Sequence, residues 1–111
     1  MKADYITSGV ELPPHIPYPR FLLTASMKPI TKMVYAVLLD AAMCSQNWGR
    51  HGRRYASLSA DDIAGIIDRT PATVRSALNE LEGEGLVERM PTSYKAPPRI
   101  YVKLPSGEGV K

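Results

Sequence analysis

Apolar positions return along this sequence with two periods, and the longer one marks three helices. Val74, Ala77, Leu78 and Leu81 fall at i, i+3, i+4 and i+7, a single stripe at helical repeat. Thr70 before them is a good N-cap, and Pro71 occupies the first helical position, where its missing N–H costs nothing. Gly85 suits a left-handed C-terminal cap. Upstream, Ile30, Met33, Val34, Val37, Leu38 and Ala41 form the stripe of a longer helix predicted over Met27 to Met43. Ser26 and Thr31 are its alternative caps, Pro29 lies in its first turn, and Lys28, Lys32 and Asp40 are left for solvent. Its Met33, Tyr35 and Met43 read as core filling. Between these two helices, Ser59-Ala60-Asp61-Asp62 makes a near capping box ahead of Ile63, Ile66 and Ile67. That short helix ends about Asp68.

The period of two appears twice after the last helix. Leu86, Glu88 and Met90 share one face with Val87 and Arg89 on the other, and Ile100 and Val102 alternate with Arg99, Tyr101 and Lys103. Pro91 to Pro98 joins the two runs and is too proline-rich for regular strand, so a two-stranded wing is expected with Tyr94 and Lys95 near its tip. Tyr55 to Leu58 is mildly strand-like. Cys44 to Tyr55 breaks periodicity and carries Gly49 and Gly52, which makes it a loop; it also concentrates Arg50, His51, Arg53 and Arg54, while Trp48 reads as its anchor.

Residues 1–20 contain Pro13, Pro14, Pro17 and Pro19 and are expected as an extended arm, docking at Phe21, Leu22 and Leu23. The arm is open to three placements: a loose tail, a strap along its own domain, or a crossing to a second subunit. Residues 21–105 then form one domain and 106–111 a tail. At 111 residues the chain holds one modest core, and a hydrophobic fraction of 44% fits a globular fold. A net charge of +3 favours a polyanionic partner. The single cysteine, Cys44, excludes an internal disulfide and suits a reducing compartment. No apolar run approaches the roughly 18 residues of a membrane span, and the start of the chain lacks a signal-peptide pattern. A cytoplasmic protein is expected.

The inventory of reactive side chains argues against an enzyme. His15, His51 and Cys44 lack metal-ligand spacing, so no metal site is expected. No Gly-Lys-Ser/Thr follows the glycines around Arg50 and His51 to hold a nucleotide phosphate, so no cofactor is expected either. Asp61 and Asp62 are explained as first-turn residues of a helix. There is no His-x-His pair of the kind a tyrosine nickase requires.

Two short helices in tight succession, preceded by a longer helix and a short strand and followed by a β-hairpin, make a winged helix-turn-helix. The predicted class is mainly α with a small β-wing (α+β). From Tyr18 to Pro105 the sequence resembles the N-terminal domain of plasmid replication initiator A proteins, the RepA_N family. The resemblance is carried by Pro19 to Leu22, by Lys32-Met-Val-Tyr-Ala-Val-Leu-Leu-Asp40, and by Ser45-Gln-Asn-Trp48 with Gly52 and Tyr55. Thr73-Val74-Arg75, Glu80-Leu81, Gly85-Leu86 and Pro98-Arg-Ile-Tyr-Val102 continue it. It implies binding to repeated sites at a plasmid origin, commonly as a homodimer, and recruitment of replication machinery.

In that fold the helix of Thr70 to Gly85 is the recognition helix. Thr73, Arg75, Ser76 and Asn79 are the expected base-reading residues, arginine suiting guanine and asparagine suiting adenine. Arg53, Arg54, Arg69, Thr70, Tyr94, Lys95 and Arg99 are the expected contacts to the DNA backbone. Two rivals stand beside replication initiation. One is a winged-helix transcriptional regulator with the same DNA chemistry. The other is a protein-interaction winged helix without DNA binding, suggested by the acidic series Glu80, Glu82, Glu84 and Glu88.

Overall fold

The computed structural model describes residues 1–45, 49, 52–90 and 98–105. Helix α1 spans Pro29–Cys44, strand β1 Tyr55–Ala56, α2 Ala60–Ile67 and α3 Pro71–Gly83. Strand β2 is Val87–Met90 and β3 is Arg99–Val102. Residues 1–18 are exposed and carry no regular element; a 3-10 turn at Arg20–Leu23 follows, with Leu22 fully buried and Leu23 exposed.

Helix α1 starts two residues later than the periodicity predicts. Lys28 precedes a proline, which disfavours the helical region, and it is extended at φ −63°, ψ 146°. Neither Ser26 nor Thr31 caps the helix. Thr31 lies inside it, 1% exposed, and its hydroxyl donates to Glu80 Oε1 of α3. The buried face is also broader than one stripe, because α2, α3, β1 and β3 all pack against α1. Val34, Tyr35, Ala36, Val37 and Leu38 are all buried, whereas Met33 (40% exposed) and Met43 (56%) face outward and are not core filling. Tyr35 meets Phe21 edge-on at 5.6 Å, and its hydroxyl donates to the Lys103 carbonyl at 2.7 Å. Burial raises its pKa to about 12, since the phenolate is the form that loses water.

The caps of the two shorter helices follow the sequence. Ser59 Oγ accepts from the Asp62 N–H at 3.1 Å, and Asp62 returns the bond to the Ser59 N–H at 3.0 Å, a complete capping box. These bonds hold the Asp62 carboxyl below its usual range. Asp68 closes α2 in the left-handed region at φ 58°, a conformation aspartate tolerates better than most residues. The Arg69 N–H then reaches the Ala64 carbonyl. Thr70 Oγ1 accepts from the Thr73 N–H at 3.2 Å and opens α3 at once. At the far end Gly85 stands at φ 76°, with Gly85 N–H on the Glu82 carbonyl and Leu86 N–H on the Leu81 carbonyl. This is a Schellman ending, and its customary apolar contact is present, since Leu81 and Leu86 share the core.

Among the described residues the sheet has three strands rather than two. β3 lies in the centre, antiparallel to both β2 and β1, with Arg89 opposite Ile100, Met90 opposite Arg99 and Tyr55 opposite Tyr101. Ala56, Ile100 and Val87 face inward onto the helices. Tyr55 and Tyr101 pack together on the other face at 5.3 Å. The Gly49 backbone lies so close to the end of the Tyr101 side chain that a Cβ there would require the tyrosine to shift. Three helices and a small antiparallel sheet make an α+β, winged-helix-like fold, with α2 and α3 as its helix-turn-helix. No helix among the described residues is long and apolar enough to cross a membrane.

Candidate nucleic-acid interface

Helix α3 presents two unlike faces because its apolar residues follow the helical repeat. Val74, Ala77, Leu78 and Leu81 are buried against α1 and α2, which fixes the axis of the helix. Ala72, Arg75, Ser76 and Asn79 are consequently exposed, with Thr73 half-buried between the two sets. The four residues expected to read bases thus lie on one element, but their freedom differs. The side chains of Arg75 and Ser76 make no hydrogen bond among the described residues. Thr73 Oγ1 is 2.9 Å from Thr70 Oγ1 within the cap. Asn79 Oδ1 accepts from Arg89 Nη2 at 2.7 Å.

The start of α1 runs beside the first turns of α3. Lys28, Ile30 and Thr31 from one side and Ala72, Thr73, Ser76 and Ala77 from the other line an open groove of about 320 Å³. Lys28, which the periodicity consigns to solvent, thereby stands next to the exposed face of α3. Only the packing of α1 on α3 brings it there, and no local feature of the sequence would have marked it.

The expected backbone contacts are more dispersed. Arg53 and Arg69 are exposed, the latter with Nη1 on its neighbour's carbonyl, Asp68 O, at 3.0 Å. Arg54 is half-buried, and its Nη1 donates to the Met43 carbonyl at 3.0 Å, so it ties the loop to the end of α1, where a cation is favoured by the helix dipole. Arg99 lies over the Tyr55 ring, 4.9 Å from its centroid, a cation–π contact on the outer face of the sheet. Thr70 serves as the α3 cap. Tyr94 and Lys95, like Trp48, Arg50 and His51, lie outside the described residues.

Two members of the acidic series are engaged within the domain and two are exposed. Glu80 accepts from the buried Thr31 hydroxyl. Glu82 forms an ion pair with Arg89 at 2.6 Å, and the arginine's hydrogen bond is what lowers the Glu82 pKa most. Glu84 and Glu88 are exposed. Cys44 is exposed with Sγ 3.5 Å from Asp40 Oδ1; the carboxylate raises the thiol pKa, the opposite of what a nucleophile needs.

No family profile matches the sequence, and no curated protein matches it. Two solved structures are similar. One, described as the structure of a Rep–DNA complex, superposes with a TM-score of 0.70 at 19% identity, covering 83% of this chain and 76% of that one. Another, the N-terminal domain of a DNA-binding protein, gives 0.68 at 18% identity and covers 96% of this chain and 89% of that one. Likeness at such identities shows a common fold.

Proposed function

We propose that this chain is a sequence-specific double-stranded DNA-binding domain of a plasmid-type replication initiator, with α3 as its recognition helix. The observation that carries the proposal is the outward face of α3. Arg75 and Ser76 project from a helix-turn-helix whose other face is buried, and no acidic residue precedes Glu80 on that helix. Arginine donates two parallel bonds to guanine O6 and N7, and serine accepts or donates, so the face carries groups suited to base edges. Lys28, Arg53, Arg69 and Arg99 are the backbone contacts among the described residues, with Thr70 adding a hydroxyl and Arg54 holding its loop.

The fold shared with a Rep–DNA complex supports this reading. The state of the acidic series weakens the interaction-only alternative, because Glu80 and Glu82 are engaged within the domain. One recognition helix reads few base pairs. The proposal therefore includes a homodimer on half-sites about one helical turn apart and recruitment of replication proteins; the role is binding, with no covalent step.

Affinity selection from a random duplex library at about 150 mM salt tests it. An enriched motif recurring as direct repeats in the host replicon is expected. A lone palindrome beside a promoter would replace the initiator with a transcriptional regulator. Weak binding that disappears with salt, and no motif, would refute DNA recognition itself.

A further inference from the structure

We propose that Arg89 is a positioning residue for base readout, fixing the Asn79 amide so that it meets a keto base rather than adenine. The inference rests on α3 being the recognition helix. Arg89 lies on β2 opposite Ile100, on the side of the sheet that Val87 uses to reach the core. Two residues further along the strand than Val87, its side chain reaches α3. Its Nη2 donates to Asn79 Oδ1 at 2.7 Å and to Glu82 Oε1 at 2.6 Å. Its backbone N–H lies 3.4 Å from Glu82 Oε2, which fixes strand and carboxylate together.

The chemistry of the pair sets the orientation of the amide. A guanidinium has donors only, so the oxygen of Asn79 is the atom that faces it, and the amino group is turned away. An unconstrained asparagine reads adenine with both ends of its amide, accepting from N6 and donating to N7. With its oxygen held by Arg89, Asn79 offers the groove N–H donors. Guanine (O6, N7) and thymine (O4) present only acceptors to such donors, whereas cytosine presents an opposing amino donor and adenine sets its N6 amino donor beside the single N7 acceptor, so both are disfavoured. Glu82 completes the arrangement by compensating the arginine charge and holding its Nη2 in place. Both ionic side chains are partly exposed, 32% for Arg89 and 40% for Glu82, so the pair contributes orientation more than stability.

The test is random-duplex selection on the full chain and on Asn79→Ala, Arg89→Met and Arg89→Lys, with thermal melting to check each fold. One motif position should lose its preference in Asn79→Ala, and in the unaltered chain that position should be guanine or thymine. Arg89→Met frees the amide, and the same position should move toward adenine by about five- to tenfold. Arg89→Lys keeps a charged donor and should keep the original base. Adenine at that position in the unaltered chain overturns the inference, a result that does not depend on how Arg89→Met folds. It is overturned equally if no position depends on Asn79, or if Arg89→Met weakens all sequences alike and flattens the salt dependence by about one phosphate. In those cases the selected motif persists and DNA recognition stands. Absence of any motif with the unaltered chain removes both.

Discussion

Replacing Thr31 by valine removes one hydroxyl from the contact between α1 and α3 and changes little else. The two side chains have nearly the same volume and similar helix propensity, so neither a cavity nor a helix penalty enters. Thr31 is 1% exposed, and its hydroxyl donates to Glu80 Oε1. A hydrogen bond to a charged group contributes about 1.5–3 kcal/mol net, but Glu80 is half-buried and its freed oxygen regains water. The expected loss is therefore about 1–2 kcal/mol. For a domain of this size that lowers Tm by roughly 5–10 °C. Urea denaturation should show the midpoint falling with an unchanged slope, because the same surface is exposed on unfolding. A cycle with Glu80→Ala and the double variant should return a coupling of about 1 kcal/mol. Strictly additive effects, or a Thr31→Val protein as stable as the original, would refute the argument that this bond pins the recognition helix to α1.

Four further outcomes follow from named residues. Gly85→Ala places a Cβ at φ 76° and should cost about 1 kcal/mol in denaturant titration, although the site has open space around it. Tyr35 has its pKa raised to about 12, so the stability it contributes is complete below pH 10 and is lost as pH rises from there toward 12; in Tyr35→Phe this part of the alkaline decline should vanish from stability-versus-pH curves. On DNA, Arg75→Ala should cost about 1–3 kcal/mol and relax one base pair. Lys28→Ala should weaken all sequences alike and reduce the salt slope by about one, both being readable from titrations at several salt concentrations.

The helices were legible because their signals are local. A Ser-x-x-Asp box, a Thr-Pro start and a glycine after the last turn each satisfy or terminate backbone groups within a few residues, and all three are found where the sequence puts them. The start of α1 departs from the periodicity for an equally local reason, the restriction that Pro29 places on Lys28. The third strand was not legible as a partner. Tyr55 and Ala56 make a strand of two residues, and only pairing with Tyr101 and Ile100 of β3, more than forty positions further on, makes them one. Arg89 and Lys28 were missed likewise, because a strand and a helix start acquire meaning for α3 only once both are packed beside it.

The sequence alone therefore determined the three helices, the division of α3 into a buried stripe and a polar face, and the α+β class, since each depends on residue spacing and cap chemistry within one turn or strand. Tertiary structure decided which α1 residues are core, what Glu80, Glu82 and Asn79 hold, and which basic groups flank the exposed face. Those outcomes depend on distances between segments that lie tens of residues apart, and no local period encodes them.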